Sequence, residues 1–274
     1  LAAIVTLVLV IGTLPYIALQ LRAVGIAWST VNWRSISDLS VDYGSSLVAA
    51  MVMGWFAIAF GTRIIEGPDR LRGMISAVAL ESVVKLVAFI CVAMLAWEIY
   101  PITSFGTLTH SPNFQWSQIF SPLFLTEMLL AATAIICLPR QFHVMVVEYQ
   151  HKKDLRYTRW LLPLYLALFA LLAIPLAQTG AELFTGLHIP PDSYVLTLPH
   201  FSGEEGVLAI TFIGALSAAA GMVVVATIAL SIMISNELIV PAWLRVNSRH
   251  HQKAADLGNS LRFIRRFSII SIFG

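Results

Sequence analysis

The sequence predicts an all-helical protein that crosses a membrane several times, and three observations lead to this fold class. Of the 274 residues, 58% are hydrophobic and only 12% are charged, whereas soluble domains contain about 25% charged residues. The mean hydropathy is +0.81. The apolar residues form long runs, and the basic residues collect in alternate loops between them. This composition excludes a water-soluble globular protein, a nucleic-acid-binding protein and a disulfide-stabilised scaffold.

The apolar runs define the predicted transmembrane segments, each of which needs about 20 residues to cross the hydrocarbon core. Six runs reach or approach that length, and a seventh is cut off by the end of the chain. The segments cover residues 1–27, 45–62, 73–97, 122–147, 160–178, 207–234 and 259–274. We expect one transmembrane domain over residues 1–274. Because the chain begins and ends inside apolar runs, we also expect it to be a piece of a longer membrane protein.

The distribution of Lys and Arg predicts how the segments are oriented, because cytoplasmic loops are enriched in these residues. One set of alternate loops contains thirteen of them, and the other set contains only Arg34. The basic loops cover residues 63–72, 148–159 and 243–266, and the others cover residues 28–44, 98–121 and 179–206. The sequence therefore predicts that residue 1 and the basic loops are cytoplasmic.

Glu81 and Lys85 are charged residues inside the third run. Charges in the hydrocarbon region cost about 2.5–3.5 kcal/mol each on insertion scales, so they are expected to face a partner or a wet cavity. Their i, i+4 spacing, with Glu nearer the N-terminus, is the favourable order for an ion pair on a helix. Two interpretations stay open: a structural pair that neutralises itself, or a titratable carboxylate on a cation or proton path.

The fourth run contains Thr133 and then the sequence Leu138-Pro139-Arg140-Gln141-Phe142-His143. Proline removes a backbone donor and disturbs the preceding helical turn. The cluster predicts either a broken transmembrane helix, of the kind that lines substrate or ion sites in transporters, or a simple kink near the cytoplasmic end.

Other polar and small residues carry less specific signals. Gln20 and Arg22 lie near the end of the first run, where they can pair helices, reach the interface or contact a solute. The small residues from Gly214 to Gly221 favour close helix packing. Soluble catalytic motifs, paired-Cys motifs and metal-ligand spacings are absent from the sequence. We expect no catalytic residues in this segment, no metal and no cofactor, and no disulfide between Cys91 and Cys137.

Three stretches resemble the sodium/solute symporter family, whose members have the LeuT-type inverted-repeat fold. Residues 140–159, residues 80–84 and residues 231–244 are similar to the end of the sixth, the start of the fifth and the end of the eighth core helix of that family. The resemblance implies that the chain covers about core helices three to nine. It also implies a solute site between the third, sixth and eighth core helices and a first core helix that lies outside this sequence.

Two stretches resemble a narrower branch, the symporter-like N-terminal domains of CbrA-type hybrid sensor histidine kinases of bacteria. These stretches are residues 15–24 and 139–143. The branch implies a multi-pass protein of the bacterial inner membrane, in contact with lipid, that signals to kinase and response-regulator domains of a two-component system. No kinase motif occurs in this chain, so the kinase role is implied by the resemblance alone.

The chain departs from the family at the residues that bind sodium. Where the symporters place adjacent Ser and Thr hydroxyls on the eighth core helix, this register places Gly221 and Met222, which offer no side-chain oxygen. Glu81 stands in the place of an Asp and has gained Lys85 one turn later. These departures favour either H+ in place of Na+ as the coupling ion, through Glu81, or a sensor that binds its solute without fast transport.

From these observations we expect binding and translocation of a small organic solute of the amino acid or carboxylate class by a secondary-active, symporter-like domain. The expected solute contacts are Gln20, Thr133 and Gln141, and the expected cation-coupling residues are Glu81 and Lys85. A membrane receptor that does not transport is the main alternative. An integral-membrane enzyme and a structural anchor for a kinase are further alternatives.

Overall fold

The computed structural model describes residues 1–32, 43–61, 72–100, 121–142, 145–146, 152–187, 189–242 and 254–273. Every regular element in these ranges is helical. Four helices are long and apolar enough to cross a membrane: Ala2–Val31, Ser76–Ile99, Leu155–Leu183 and Glu205–Ala242. Only 11–28% of the residues in their most apolar windows are buried. Many of the remaining apolar side chains are exposed, as the predicted all-helical membrane fold requires.

Nine α-helices make up the described chain. They are α1 (Ala2–Val31), α2 (Tyr43–Gly61), α3 (Arg72–Ile99), α4 (Pro122–Cys137), α5 (Pro139–Phe142), α6 (Lys152–Leu183), α7 (Tyr194–Phe201), α8 (Glu205–Met233) and α9 (Ala254–Phe273). A short 3₁₀ helix, Pro191–Ser193, precedes α7, and a π-helical segment, Ile234–Ile239, continues α8. The helices α2 and α4 are apolar but shorter than the four candidate spans.

The predicted segment at 122–147 contains a break between α4 and α5. Ser121 caps α4 by accepting a hydrogen bond from the Phe124 N–H at 3.2 Å, and Pro122 fits the first helical position. The helix ends because Leu138 is extended, with ψ of 128°, as expected for a residue that precedes a proline. The structure thus shows a broken helix here, while His143 and residues 147–151 lie outside the described residues.

Helix α8 is the centre of the described bundle. It packs against α1, α2, α3, α5, α7 and α9. One buried apolar cluster joins α1, α2 and α8 through residues such as Ile17, Met53 and Val223. A second cluster joins α3 to α6 and α7 through residues such as Val92 and Leu176. Close packing of these helices creates the walls around the candidate site.

Polar side chains add hydrogen bonds between helices. Tyr165 of α6 donates to the Ser82 carbonyl of α3 at 3.2 Å, and Thr179 of α6 donates to the Ala96 carbonyl at 3.0 Å. Such bonds between membrane helices contribute about 0.6–2 kcal/mol each. They hold α6 along the face of α3 that lies away from α1. Cys91 and Cys137 are free thiols, as expected.

Candidate functional site

A cavity of about 830 Å³ lies between α1, α2, α3 and α8. This volume falls within the roughly 300–1,000 Å³ of small-molecule pockets. Its walls are mainly apolar, and its larger lining side chains are Trp28, Val48, Met53, Phe56, Phe212 and Leu216. The polar side chains of the lining are Ser45, Glu81 and Ser217. Such a site can enclose an apolar body and offers few groups that fix its orientation.

Glu81 is the only ionisable side chain among the described residues that line this cavity. It lies about 14 Å along the axis of α3 from Arg72, and its side chain is only 8% exposed. Its Oε1 atom accepts a hydrogen bond from Lys85 Nζ at 3.4 Å, so the predicted i, i+4 pair is present. The Lys85 side chain is 21% exposed and is not part of the cavity lining. The carboxylate therefore lines the cavity and also pairs with a lysine of its own helix that does not line it.

Two glycines let α8 approach α3 closely at this level. A methyl group placed on Gly221 would overlap the carboxylate of Glu81. Seven residues earlier on α8, a methyl group placed on Gly214 would lie 2.5 Å from the Cβ atom of Ala88, which follows Glu81 by seven residues on α3. The two contacts repeat with a heptad spacing, as in packed helix pairs. Glu81 and Ala88 therefore occupy equivalent, successive positions in the interface between α3 and α8.

Aromatic and sulfur-containing side chains fill the boundary between α1 and α8. The rings of Trp28 and Phe212 lie 6.2 Å apart, between centroids, and both line the cavity. Below them, the Tyr16 hydroxyl donates to Met222 Sδ at 3.0 Å. These contacts fix α1 against α8 on the side of the cavity opposite α3.

The expected solute contacts lie elsewhere in the described chain. Gln20 is half-buried on α1, and Gln141 is half-buried on α5. Thr133 is exposed on α4, where its hydroxyl donates to the Leu130 carbonyl at 2.9 Å. None of the three lines the cavity, so the structure brings Glu81 to it and does not bring these residues together there. Their role in solute binding stays a prediction.

The sequence contains one signal that would have located the cavity better. Gly214 and Gly221 are spaced by seven residues, as are Glu81 and Ala88. These equal spacings are compatible with a repeated contact between α3 and α8, and the structure shows the antiparallel pairing, with Glu81 against Gly221 and Ala88 against Gly214. The aromatic residues Trp28 and Phe212 carry no comparable signal, since each is also typical of a membrane interface.

The described residues contain no group of three or more His, Cys, Asp or Glu side chains that could hold a metal ion. The Glu81 carboxylate and the apolar walls of the cavity offer ion pairing, proton exchange and apolar contact. No family model, curated protein or solved structure matches the chain. The resemblance to the symporters accordingly enters below as a proposal, beside what the residues of the cavity support.

Proposed function

We propose that this chain is a membrane domain that binds a small organic solute in the cavity between α1, α2, α3 and α8 and translocates it with protons. The observation that carries the proposal is the burial of Glu81 at the wall of an 830 Å³ apolar cavity. Ionisable residues at membrane depth are costly and typically mark substrate or proton paths. Enclosing a solute against one carboxylate allows protonation and solute binding to influence each other.

The proposal of H+ as the coupling ion is supported by the neighbours of Glu81. Gly221 and Met222 supply no side-chain oxygen, and the Glu81 carboxylate packs directly on the Gly221 backbone. Sodium needs several hard oxygen ligands, whereas a proton needs one carboxylate and a route to it. The Glu81 carboxylate lines the cavity and pairs with Lys85, so a proton or a solute that reaches it from the cavity competes with that pair.

The resemblance to CbrA-type sensor kinases supports a second part of the proposal. On that resemblance, the domain lies in a bacterial inner membrane and serves as the input module of a two-component system, in contact with kinase or response-regulator domains. A receptor that binds the solute without transport is the alternative form of this role. The two forms differ in whether binding is followed by solute movement across the bilayer.

The experiment uses purified full-length protein in proteoliposomes that contain a pH-sensitive dye. A panel of amino acids, organic amines and short carboxylates is added in sodium-free buffer, and the internal pH is followed. We expect at least one solute to drive proton movement across the bilayer in the wild type, with loss of this flux in Glu81→Gln. Glu127→Gln, which alters an exposed carboxyl on α4, is the matched control and should keep the flux. Solute binding without flux would support the receptor, and strict dependence on sodium would contradict proton coupling.

A further inference from the structure

We infer that the cavity selects solutes that carry one ammonium group on an apolar body, and that this ammonium competes with Lys85 for the carboxylate of Glu81. The inference rests on the proposed role of the cavity as the solute site and narrows the chemical class of the solute. It favours organic amines over carboxylates and over zwitterionic amino acids.

The charge of the cavity wall carries the first step. Glu81 is the one ionisable group in the described lining, and the other polar side chains there are the hydroxyls of Ser45 and Ser217. An ionised carboxylate can accept hydrogen bonds but cannot donate them, and its two oxygens together offer about four acceptor positions. A ligand ammonium is the complementary donor. A ligand carboxylate would meet a like charge and would have no cationic side chain on the cavity side to offset its desolvation.

The geometry of the ion pair carries the second step. Lys85 Nζ lies 3.4 Å from Glu81 Oε1, which is a long contact for a charge-assisted hydrogen bond. The Lys85 side chain is 21% exposed and that of Glu81 is 8% exposed. An ionised carboxylate has about four acceptor positions, so a donor that reaches Glu81 from the cavity can compete with this long contact. A solute ammonium is such a donor.

The apolar walls carry the third step. Trp28, Met53, Phe56, Phe212 and Leu216 line the same cavity as the carboxylate. A solute with an aromatic or branched body would bury that body against these side chains, and each apolar group so buried favours binding. A second charged or strongly polar group on the solute would have to be desolvated without a partner, which lowers affinity.

The test measures equilibrium binding of four probes to the purified full-length protein in nanodiscs. The probes share a phenylalkyl body: 4-phenylbutylamine carries an ammonium, 4-phenylbutanol carries no charge, 4-phenylbutyrate carries a carboxylate, and phenylalanine carries both charges. We expect 4-phenylbutylamine to bind at least about tenfold more tightly than the other three, as one charge-assisted hydrogen bond provides.

Two substitutions should change the affinity for 4-phenylbutylamine in opposite directions. Glu81→Gln should weaken amine binding by about tenfold or more and leave 4-phenylbutanol binding unchanged. Lys85→Met should strengthen amine binding by about threefold or more, because it removes the internal competitor for the carboxylate. Glu127→Gln is the control and should change neither affinity. If Glu81→Gln fails to fold in a thermal unfolding assay, the gain in Lys85→Met still decides the inference.

Several results would overturn the inference. Equal affinity for the amine and the alcohol would show that the carboxylate does not select the solute. Tightest binding of 4-phenylbutyrate or phenylalanine, lost in Lys85→Met, would assign recognition to the lysine. Absence of binding by all four probes would show that the cavity does not admit such ligands.

The proposed function can fail separately. Amine binding without amine-driven proton flux would leave the inference standing and contradict transport. Proton flux driven by another solute class, with no amine binding, would leave transport standing and contradict the inference.

Discussion

At the scale of single residues, the behaviour of the site depends on how Glu81 divides its interactions between Lys85, Gly221 and the cavity. The Lys85 ammonium stabilises the charged carboxylate, and the backbone of Gly221 prevents the carboxylate from moving toward α8. The carboxylate also lines the cavity. A solute or a proton that reaches Glu81 from there must therefore compete with the pair that the helix itself supplies.

The first prediction is a double-mutant cycle on this pair. Glu81→Gln and Lys85→Met should each lower stability by about 2 kcal/mol, below the roughly 3–5 kcal/mol of a fully buried pair because Lys85 is partly exposed. The double mutant should recover most of that loss, since it leaves no uncompensated charge. Thermal unfolding of the four proteins in one detergent measures this. Additive losses in the double mutant would mean that the two side chains do not stabilise each other in the membrane.

At the scale of elements, the packing of α3 on α8 determines the position of the carboxylate. The two helices meet at Glu81 with Gly221 and at Ala88 with Gly214, and both glycines are needed for the close approach. Overpacking such an interface typically costs about 1–3 kcal/mol. One of these two contacts includes the Glu81 carboxylate, and the other is purely apolar. Comparing them therefore separates the effect of helix packing on stability from the effect of the carboxylate on function.

The second prediction uses this pair. Gly221→Ala and Gly214→Ala should each lower stability by about 1–3 kcal/mol. Adding Glu81→Ala should restore the stability of Gly221→Ala, and adding Ala88→Gly should restore the stability of Gly214→Ala. Each second change makes room for the new methyl group. Chemical unfolding of the single and double variants is the measurement. Two results would show that α3 and α8 pack in a different register. One is that Ala88→Gly rescues Gly221→Ala, or that Glu81→Ala rescues Gly214→Ala. The other is that no second change restores stability.

Hydropathy reports directly which residues can face lipid, so it indicates where the long apolar helices lie. The apolar run at 73–97 lies inside α3, and the run at 207–234 covers most of α8 and the first residue of the π-helical segment. Pro139 also indicated the break after α4, since its effect on Leu138 is local. The cavity escaped prediction because it depends on which faces of four helices converge. Gln20, Thr133 and Gln141 are polar residues in apolar runs, and such residues can satisfy themselves locally, as Thr133 does.

At the scale of the whole molecule, the route by which a solute reaches Glu81 depends on how the bundle is oriented in the bilayer. The predicted orientation places the start of α3 on the cytoplasmic side and Trp28 and Phe212 toward the outer side. Many of the basic residues behind this prediction lie outside the described residues. If the orientation holds, a solute that reaches Glu81 from outside passes the aromatic pair first.

The third prediction concerns this orientation. In whole cells, an impermeant maleimide should label Glu204→Cys, which lies just before α8, and should not label Lys153→Cys until the cells are permeabilised, because the basic loops are cytoplasmic. Both variants are made in a background that lacks Cys91 and Cys137. Labelling of intact cells at 153 and not at 204 would reverse the topology.

The central claim is that the cavity beside Glu81 holds the solute, and protection of a cysteine in its wall tests this most directly. Ala77 and Ala79 are both exposed on α3, but only Ala77 lines the cavity. In the background without native cysteines, the account predicts that 4-phenylbutylamine slows alkylation of Ala77→Cys by N-ethylmaleimide and leaves Ala79→Cys unaffected. It also predicts that Glu81→Gln abolishes the protection. Equal protection at both positions, or protection at 77 that survives Glu81→Gln, would contradict the account.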